Sequence, residues 1–283
     1  MDISGLAYVI SRYEQTELDR TIDPADHMWN TGQDWYWSTG RLGLECVLLG
    51  LAASPLAEPQ SILDLACGYG RVGRHLRIAF PGARFFWCDV EGAEFCARQF
   101  GGEAVKSSRE LLDVRLPSVD LMWVGSLFTH INEDRARAWL RHFAACLNPG
   151  GVMVATFHGR TSTQHYRRVQ YGNMAQLDRL EAQCRIRGWA YEAYDHAQDA
   201  DWGYSLTTLA RIAEIAASVP GTRIGGLAEG GWGGNHDVLT LVRIEDEEPA
   251  LQVAKISSLK KLWWSIHGRL RRRRRRQPQV ASN

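Results

Sequence analysis

The stretch of this sequence that most constrains its fold is the run SILDLACGYGRVGR, from Ser61 to Arg74. Apolar residues interrupted by one acid, Asp64, come first, and Gly68 and Gly70 then break the run before helix-compatible residues resume. The pattern predicts a buried strand, a tight turn and the start of a helix. Glycine permits a positive φ and lets a ligand approach the main chain, and the free N–H groups of the helix point toward that ligand. The stretch therefore predicts a ligand site at the turn.

Two carboxylates, Asp64 and Asp89, help to identify the ligand of this site. The glycines at 68, 70 and 73 satisfy G-x-G-x-x-G, which by itself does not separate a dinucleotide site from other nucleoside sites. Asp64 stands where a dinucleotide fold usually needs only apolar strand residues, and it can hold a ligand ammonium group or the amides of the turn. Asp89 ends the next predicted strand, where a carboxylate can accept both hydroxyls of a ribose.

With these residues in view, the sequence resembles the class I S-adenosylmethionine-dependent methyltransferases. The resemblance depends on four blocks that occur in the family's order and spacing over about ninety residues. They are Asp64 to Gly70, Asp89, Asp120 to Trp123 with Gly125 to His130, and Leu147 to Gly151. The resemblance implies a Rossmann-like fold, S-adenosyl-L-methionine as the cofactor and methyl transfer as the activity.

Strand and helix patterns alternate along the chain. Besides the strand before the glycine turn, we expect strands at 84–89, 103–106, 119–125, 152–157, 222–227 and 237–244. Helices are expected at 38–56, after the glycine turn, at 91–100, from Asn132 to the Pro149-Gly150-Gly151 turn, and at 205–218. This alternation predicts an α/β fold with a largely parallel seven-stranded sheet and helices on both faces. The resemblance adds a final antiparallel strand and an insertion after strand five.

These boundaries divide the chain into three segments, the second of which contains an insertion. Residues 1–37 resemble an N-terminal lid segment, and residues 38–250 are expected to form the methyltransferase domain. Within it, residues 159–204 are longer than a strand connection needs, which favours a substrate-facing insertion. Residues 251–283 form a basic tail, either an amphipathic helix or a disordered segment.

The resemblance also implies which residues bind the cofactor. Tyr36 belongs to a Tyr-x-x-x-Gly pattern typical of a lid, although aromatic packing onto the core explains it equally well. Ser107 and Ser108 stand near the position of an acid that contacts the adenine amino group in the family. The full predicted set is Tyr36, Asp64, Ala66, Gly68, Gly70, Asp89, Val90, Ser107, Ser108, Gly125 and Ser126.

Two histidines are candidate catalytic bases. His130 follows strand four and His158 follows strand five, where the acceptor is expected to meet the cofactor, and an imidazole can take a proton at neutral pH. A structural role is the competing reading for both, and His236 is a weaker third candidate. Arg71 and Arg74 begin the helix after the turn, where they can meet an anionic substrate or form solvated helix surface.

The cysteines, the potential metal ligands and the apolar runs limit the kind of site and the cellular location that we expect. The six cysteines are scattered without a C-x-x-C pair, which favours buried thiols, and no metal is expected because no cluster has metal-ligand spacing. No apolar run is long enough to span a bilayer and no signal peptide is recognisable. We therefore expect a cytoplasmic protein, with the tail as its one candidate for contact with the inner face of a membrane.

The tail concentrates positive charge. Between Lys255 and Arg276 there are ten basic residues and no acidic one, which leaves 23 basic against 32 acidic residues elsewhere. Its apolar positions fall on one helical stripe and include Trp263, which favours an anionic membrane surface. Nucleic acid is the rival partner, since arginine runs neutralise phosphates, and a disordered solubilising tail is the third possibility.

The combined interpretation is a methyltransferase that acts on a small molecule or a membrane-proximal glycan or lipid-linked precursor, by O-methylation. The alternatives are an NAD-dependent oxidoreductase with the same glycine pattern and a cofactor-binding scaffold without catalysis. An RNA methyltransferase is disfavoured, because the body is acidic and Gly125 to Phe128 stands where an amino-methylating motif would be.

Overall fold

The computed structural model describes residues 1–29, 33–194 and 202–244. Seven strands form the main sheet, in the order β3-β2-β1-β4-β5-β9-β8. They are β1 (Ser61–Leu65), β2 (Arg84–Asp89), β3 (Glu103–Lys106), β4 (Val119–Val124), β5 (Leu147–His158), β8 (Thr222–Trp232) and β9 (His236–Arg243). A separate two-stranded sheet pairs β6 (Trp189–Ala193) with β7 (Gly203–Thr207). The predicted α/β class and seven-stranded sheet are confirmed.

The strand directions also match the prediction. Strands β1 to β5 pair in parallel, whereas β9 runs antiparallel to both β5 and β8. Strand β9 is therefore the one reversed strand of this sheet. The parallel arrangement brings the carboxyl ends of β1, β2 and β4 to one edge, where ligands bind in sheets of this kind.

Helices cover both faces of the sheet, as predicted. They are α1 (Ile3–Gln15), α2 (Gln33–Ala52), α3 (Gly73–Ala79), α4 (Ala93–Phe100), α5 (Glu133–Ala145), α6 (Arg160–Val169), α7 (Met174–Arg187) and α8 (Leu209–Ala217). On one face, Leu63 and Leu65 of β1 join a core cluster with Trp139 and Phe143 of α5. On the other face, the start of α3 packs against Trp87 and Asp64. The central strands are thus buried on both sides, which explains their nearly continuous apolar runs.

Two predictions about the amino-terminal part are wrong in detail. Residues 1–37 contain a full helix, α1, with Asp2 as its cap, and α2 starts before the predicted position of Ser38 and ends before Leu56. The sequence also predicts Leu42, Cys46 and Leu49 on one apolar stripe of this helix, but Leu49 is 46% exposed while Leu48 and Leu51 are buried. The error comes from choosing the wrong helical stripe in an apolar helix that has several.

The region after β5 is more regular than the sequence predicted. Within 159–204, the described part consists of α6, α7 and β6 instead of a long loop. Ser205 belongs to β7, so the helix predicted to begin there starts at Leu209. The sequence predicts a glycine-rich turn with Trp232 between the last two strands, but Trp232 ends β8. The Pro149-Gly150-Gly151 segment, predicted as a turn, lies inside β5. The tail lies outside the described residues.

Candidate functional site

A cavity lies at the carboxyl edge of the sheet. Its volume is about 730 Å³. Leu65 pairs with Cys88 of β2 and with Val124 of β4, so the residues that follow these three strands come together at one place. The lining residues are Leu65, Ala66, Cys88, Asp89, Val90, Ser107, Ser108, Arg109, Leu111, Gly125, Ser126, Leu127, His130 and Trp202. The volume falls within the range of small-molecule sites.

The turn after β1 is fixed by Asp89. Its Oδ2 accepts the N–H of Gly68 at 3.0 Å, and its Oδ1 accepts the N–H of Glu91 at 3.0 Å. Gly68 has a φ of 49°. Gly92 packs so closely against the turn that a Cβ there would lie 1.9 Å from the Gly68 carbonyl oxygen. The ends of β1 and β2 are therefore built as one unit, with the carboxylate between them.

Two residues of the cavity wall have strained backbones. Ala66 has a φ of 62° and Ser126 a φ of 59°, in the left-handed region that favours glycine. The Ser126 N–H donates to Thr156 Oγ1 at 2.8 Å, which helps to hold that conformation. Such strain persists only where the surrounding structure enforces it, and it concentrates at functional sites. Both residues belong to the predicted cofactor set.

Asp64 lies beneath the turn and not in the cavity wall. Its side chain is fully buried against the start of α3, and its Oδ2 has no hydrogen-bond partner among the described residues. Burial, reinforced by the negative charge of Asp89, raises the pKa of Asp64 to about 8. At pH 7 this carboxyl group is therefore mostly protonated and can donate a hydrogen bond.

Three histidines form a cluster beside the cavity. The ring centroids of His130 and His158 are 6.3 Å apart, and those of His158 and His236 are 4.8 Å apart. Burial lowers the pKa of each ring, to about 3 for His236 and well below the usual value for His158. The three imidazoles are therefore neutral at pH 7, and burial makes each a weaker proton acceptor than a free imidazole.

The cluster's members have different surroundings. His130 lines the large cavity, and its Nδ1 contacts the Tyr194 hydroxyl at 2.5 Å and the Gly203 carbonyl oxygen at 3.3 Å. His158 instead lines a second cavity of about 40 Å³, together with Tyr166, whose hydroxyl lies 2.8 Å from His158 Nε2. His130 is therefore the histidine placed at the large cavity.

The comparisons with known proteins agree with this geometry. Residues 63–153, which run from β1 into β5, match the family model described as a methyltransferase domain. Residues 63–153 therefore carry a methyltransferase domain with a Rossmann-like fold. A comparison with curated protein sequences finds no match.

Solved structures share the fold of this methyltransferase domain at low sequence identity. The plantazolicin methyltransferase BpumL, in complex with SAH, is 13% identical, with a TM-score of 0.52; the match covers 86% of this chain and 96% of that chain. Plantazolicin methyltransferase BamL is 13% identical, with a TM-score of 0.51, over 84% of this chain and 91% of that chain.

A further similar structure is longer than this chain. Human N-acetylserotonin methyltransferase in complex with SAM is 14% identical, with a TM-score of 0.46, over 86% of this chain. This methyltransferase chain covers 66% of that human chain, slightly less than two thirds of its length.

The residues around the methyltransferase cavity fit the cofactor. Asp89 offers carboxylate oxygens at the wall, and the space where a Cβ of Gly68 would point is open. Bound there, S-adenosylmethionine would supply an electrophilic methyl group.

The structure brings most of the predicted site residues to this cavity. Ala66, Asp89, Val90, Ser107, Ser108, Gly125, Ser126 and His130 line it. Gly68 and Gly70 shape the turn behind the wall, and Asp64, Tyr36 and His158 lie elsewhere. The binding roles assigned to these residues remain predictions.

Several residues that line the cavity were not predicted from the sequence. Arg109 and Leu111 follow directly on Ser107-Ser108, so continuation of that loop was the available signal. Trp202 had no sequence signal. Trp202 lies at the cavity because the N–H of the next residue, Gly203, donates to the His130 carbonyl oxygen at 2.9 Å. This hydrogen bond holds the start of β7 beside the end of β4.

The reading of Arg74 as solvated helix surface is wrong, because its side chain is only 1% exposed. Its guanidinium donates to the carbonyl oxygens of Tyr69 and Gly70 in the turn, and to those of Asp19 and Thr21 in the amino-terminal segment. This one side chain joins residues 16–29 to the glycine turn of the methyltransferase domain.

Within the described residues, the placement of side chains and the length of helices bear on metal binding and on membrane spanning. No group of three or more histidine, cysteine, aspartate or glutamate side chains there is placed to hold a metal ion. No helix there is long and apolar enough to cross a bilayer. All six cysteines are free.

Proposed function

We propose that this protein transfers the methyl group of S-adenosylmethionine to an oxygen atom of a small-molecule acceptor at the carboxyl edge of the sheet. The observation that carries this proposal is the position of His130, which lines the cavity beside Ser126 and Leu127 and contacts His158 at the edge of the second cavity. A neutral imidazole at that place is a suitable base for an acceptor that carries a proton.

In this reaction the chain's own residues need to supply little chemistry. Methyl transfer is an in-line displacement, so the protein mainly positions the acceptor and excludes water. The acceptor oxygen forms a bond to the methyl carbon while the bond from that carbon to sulfur breaks, and His130 receives the acceptor's proton. Asp89 and the turn after β1 hold the nucleoside part of the donor in this proposal.

The acceptor class has indirect support. The second cavity is lined by Tyr166, Tyr171 and Tyr204 together with uncharged polar side chains such as Asn173 and Gln176. Tyrosine faces and amide groups suit a neutral ring-containing acceptor, whether an aromatic compound or a sugar. The cavity is narrow, so binding there requires the tyrosines to move apart.

The direct test is to incubate the full chain with extracts and S-adenosylmethionine that carries an isotopically labelled methyl group. We expect a low-molecular-weight compound to gain the label, detected by mass spectrometry. Absence of labelled product, combined with tight cofactor binding and a stable complex with another protein, would instead identify a non-catalytic scaffold.

We also propose that the basic tail, residues 251–283, binds the anionic inner surface of a membrane and brings the enzyme to membrane-proximal acceptors. Each basic residue near such a surface contributes about 1 kcal/mol. Deleting residues 255–283 is expected to release the protein from anionic vesicles in a sedimentation assay without changing cofactor affinity. Equal retention of the truncated protein would refute this proposal.

A further inference from the structure

We propose that Tyr194 is a positioning residue that, together with the Gly203 carbonyl group, holds a proton on Nδ1 of His130 and so leaves Nε2 as the proton acceptor. The inference rests on the proposed function, in which His130 is the base. It also assigns a task to the two-stranded sheet of β6 and β7, which is separate from the main sheet.

Strand β7 is bound to the segment that carries His130. The Gly203 N–H donates to the His130 carbonyl oxygen at 2.9 Å, and the Ser205 N–H donates to that of Thr129 at 3.0 Å. The Ser205 hydroxyl donates a third hydrogen bond, to the Phe128 carbonyl oxygen at 2.7 Å. These three bonds to consecutive residues fix the main chain of His130 relative to β7.

Strand β6 brings Tyr194 to the same place. Ala193 pairs with Gly203 in the antiparallel ladder, and Tyr194 directly follows Ala193. The Tyr194 N–H donates to the Trp202 carbonyl oxygen at 3.0 Å, so the two strands stay together for one residue more. The Tyr194 ring meets the Tyr204 ring edge-on, with 4.9 Å between the centroids. The phenol is therefore held through both its main chain and its ring.

Two oxygen atoms contact one nitrogen of the His130 ring. Nδ1 lies 2.5 Å from the Tyr194 hydroxyl oxygen and 3.3 Å from the Gly203 carbonyl oxygen. A carbonyl oxygen can only accept a hydrogen bond, whereas a hydroxyl group can donate or accept. Both contacts are therefore hydrogen bonds only when Nδ1 carries the proton and the hydroxyl oxygen accepts. In the neutral ring this leaves the free electron pair on Nε2.

This arrangement offsets the effect of burial on His130. Burial lowers the pKa of the ring, whereas the hydrogen bond to Gly203 raises it. During methyl transfer, Nε2 takes the acceptor's proton while the acceptor oxygen bonds to the methyl carbon and the bond from that carbon to sulfur breaks. The ring is then charged, so its Nδ1–H bonds to both oxygens become stronger. Tyr194 stays a neutral phenol, because burial raises its pKa.

The test observes where the proton lies. The full chain is prepared with isotopically labelled histidine, and NMR at pH 7 shows which ring nitrogen of His130 is protonated in wild type, Tyr194→Phe and Tyr8→Phe. The His130→Gln variant identifies the signals. Tyr8→Phe is the matched control, because it loses the same hydroxyl group from a tyrosine of α1 that is 64% exposed. Methyl transfer to compounds of the extract is measured with the same proteins.

We expect the wild-type ring to carry its proton on Nδ1. Tyr194→Phe is expected to shift the ring population towards the Nε2–H form and to slow methyl transfer by about threefold to thirtyfold, since a hydrogen bond to a charged group is lost. Its affinity for S-adenosylhomocysteine is expected to stay within about twofold of wild type, which also shows that the variant is folded. Tyr8→Phe is expected to match wild type in every measurement.

Three results would overturn the inference. An Nε2–H ring in the wild type would mean that Nδ1 accepts the Tyr194 proton. An unchanged proton position in Tyr194→Phe would show that Gly203 alone holds the ring, and a shifted proton with an unchanged rate would show that Nε2 is not the acceptor.

Failure of the proposed function has a different result. A wild-type protein that carries the proton on Nδ1 but methylates no compound would reject that function, while a shifted proton in Tyr194→Phe would still support the placement of the proton by Tyr194.

Discussion

At the scale of single residues, Asp89 has the largest predicted effect. Its carboxylate accepts two main-chain N–H groups that shape the turn and also faces the cavity. We expect Asp89→Ala to weaken S-adenosylhomocysteine binding by about tenfold to a hundredfold, since a charged hydrogen-bond acceptor is lost. Titration calorimetry measures this.

The matched control for that experiment is another carboxylate on the same sheet. Asp120 accepts the N–H groups of Gln60 and Ser61 at the amino ends of β4 and β1, away from the cavity. Asp120→Ala is expected to lower stability without lowering the affinity of the folded protein. Unchanged affinity in Asp89→Ala would remove the ribose role.

His130 is the second residue with a specific prediction. With the acceptor found by methyl labelling, His130→Gln is expected to reduce kcat by about a hundredfold or more, the range of general-base catalysis, while cofactor affinity stays unchanged. His27→Gln, at an exposed histidine, is the control and is expected to retain full activity. Retention of wild-type kcat in His130→Gln would show that the acceptor needs no base there.

The pH dependence of the reaction also tests whether His130 acts as the base. Because burial lowers the pKa of His130, its neutral, proton-accepting form persists as the pH falls below 6.5. The acid limb of kcat/KM is therefore expected below pH 6.5. An acid limb above that value, still present in His130→Gln, would assign the limb to another group.

Prediction from sequence succeeded for residues whose place at the end of a strand can be recognised from the local pattern. Asp89 ends β2, and Ala66 and Gly125 directly follow β1 and β4, so the parallel order of the strands was enough to bring them together. Tyr36 and Trp202 depend on packing between distant segments, which no local pattern encodes. Arg74 looked like a surface residue because its partners are main-chain carbonyl groups, which have no signature in sequence.

At the scale of elements, the unit formed by the ends of β1 and β2 can be tested through glycines. Gly92 precedes α4, and a Cβ there would lie 1.9 Å from the Gly68 carbonyl oxygen, a main-chain atom that cannot swing aside. Gly92→Ala is expected to destabilise the protein by about 1–3 kcal/mol, the range for overpacking, and to weaken cofactor binding. Urea unfolding and titration calorimetry measure the two effects.

Gly82 supplies the control for this substitution. It lies in the turn before β2, and a Cβ there meets nothing within 4 Å. Gly82→Ala is expected to leave both the free energy of unfolding and the cofactor affinity near wild type. A Gly92→Ala variant as stable and as tight-binding as Gly82→Ala would contradict the close packing of the two strand ends.

Element types were predictable from the sequence up to β5 and much less so after it. The spacing of strands and helices up to Phe157 follows repeated strand-to-helix units, which apolar periodicity reveals. Between Arg160 and Arg187, however, α6 and α7 carry many Arg and Gln residues and few apolar ones, so the segment resembled a loop. Leu180 and Cys184 of α7 nonetheless join a buried cluster with Ala190 of β6 and Leu206 of β7.

At the scale of the whole molecule, buried titratable groups predict how stability depends on pH. The pKa values of His75, His130, His158 and His236 are lowered by burial, whereas that of Asp64 is raised by burial. Each histidine contributes stability that is present above pH 6.5 and is lost as the pH falls below it, by up to about 1.4 kcal/mol per pH unit.

Asp64 acts in the opposite direction, because its raised pKa gives stability that is lost as the pH rises from about 4 to 8. Four histidines outweigh one carboxyl group below pH 6.5, so the free energy of unfolding is expected to fall on acidification from pH 6.5 to 5. Urea unfolding at a series of pH values measures this. A flat profile across that interval would mean that the histidines are not buried as neutral rings.

The central claim is that the cavity between the ends of β1, β2 and β4 seats S-adenosylmethionine and not a nicotinamide dinucleotide. Calorimetric titration of the full chain with S-adenosylhomocysteine and, separately, with NAD tests it most directly. We expect saturable one-to-one binding of S-adenosylhomocysteine and no measurable heat of binding with NAD. Binding of NAD without binding of S-adenosylhomocysteine would contradict it.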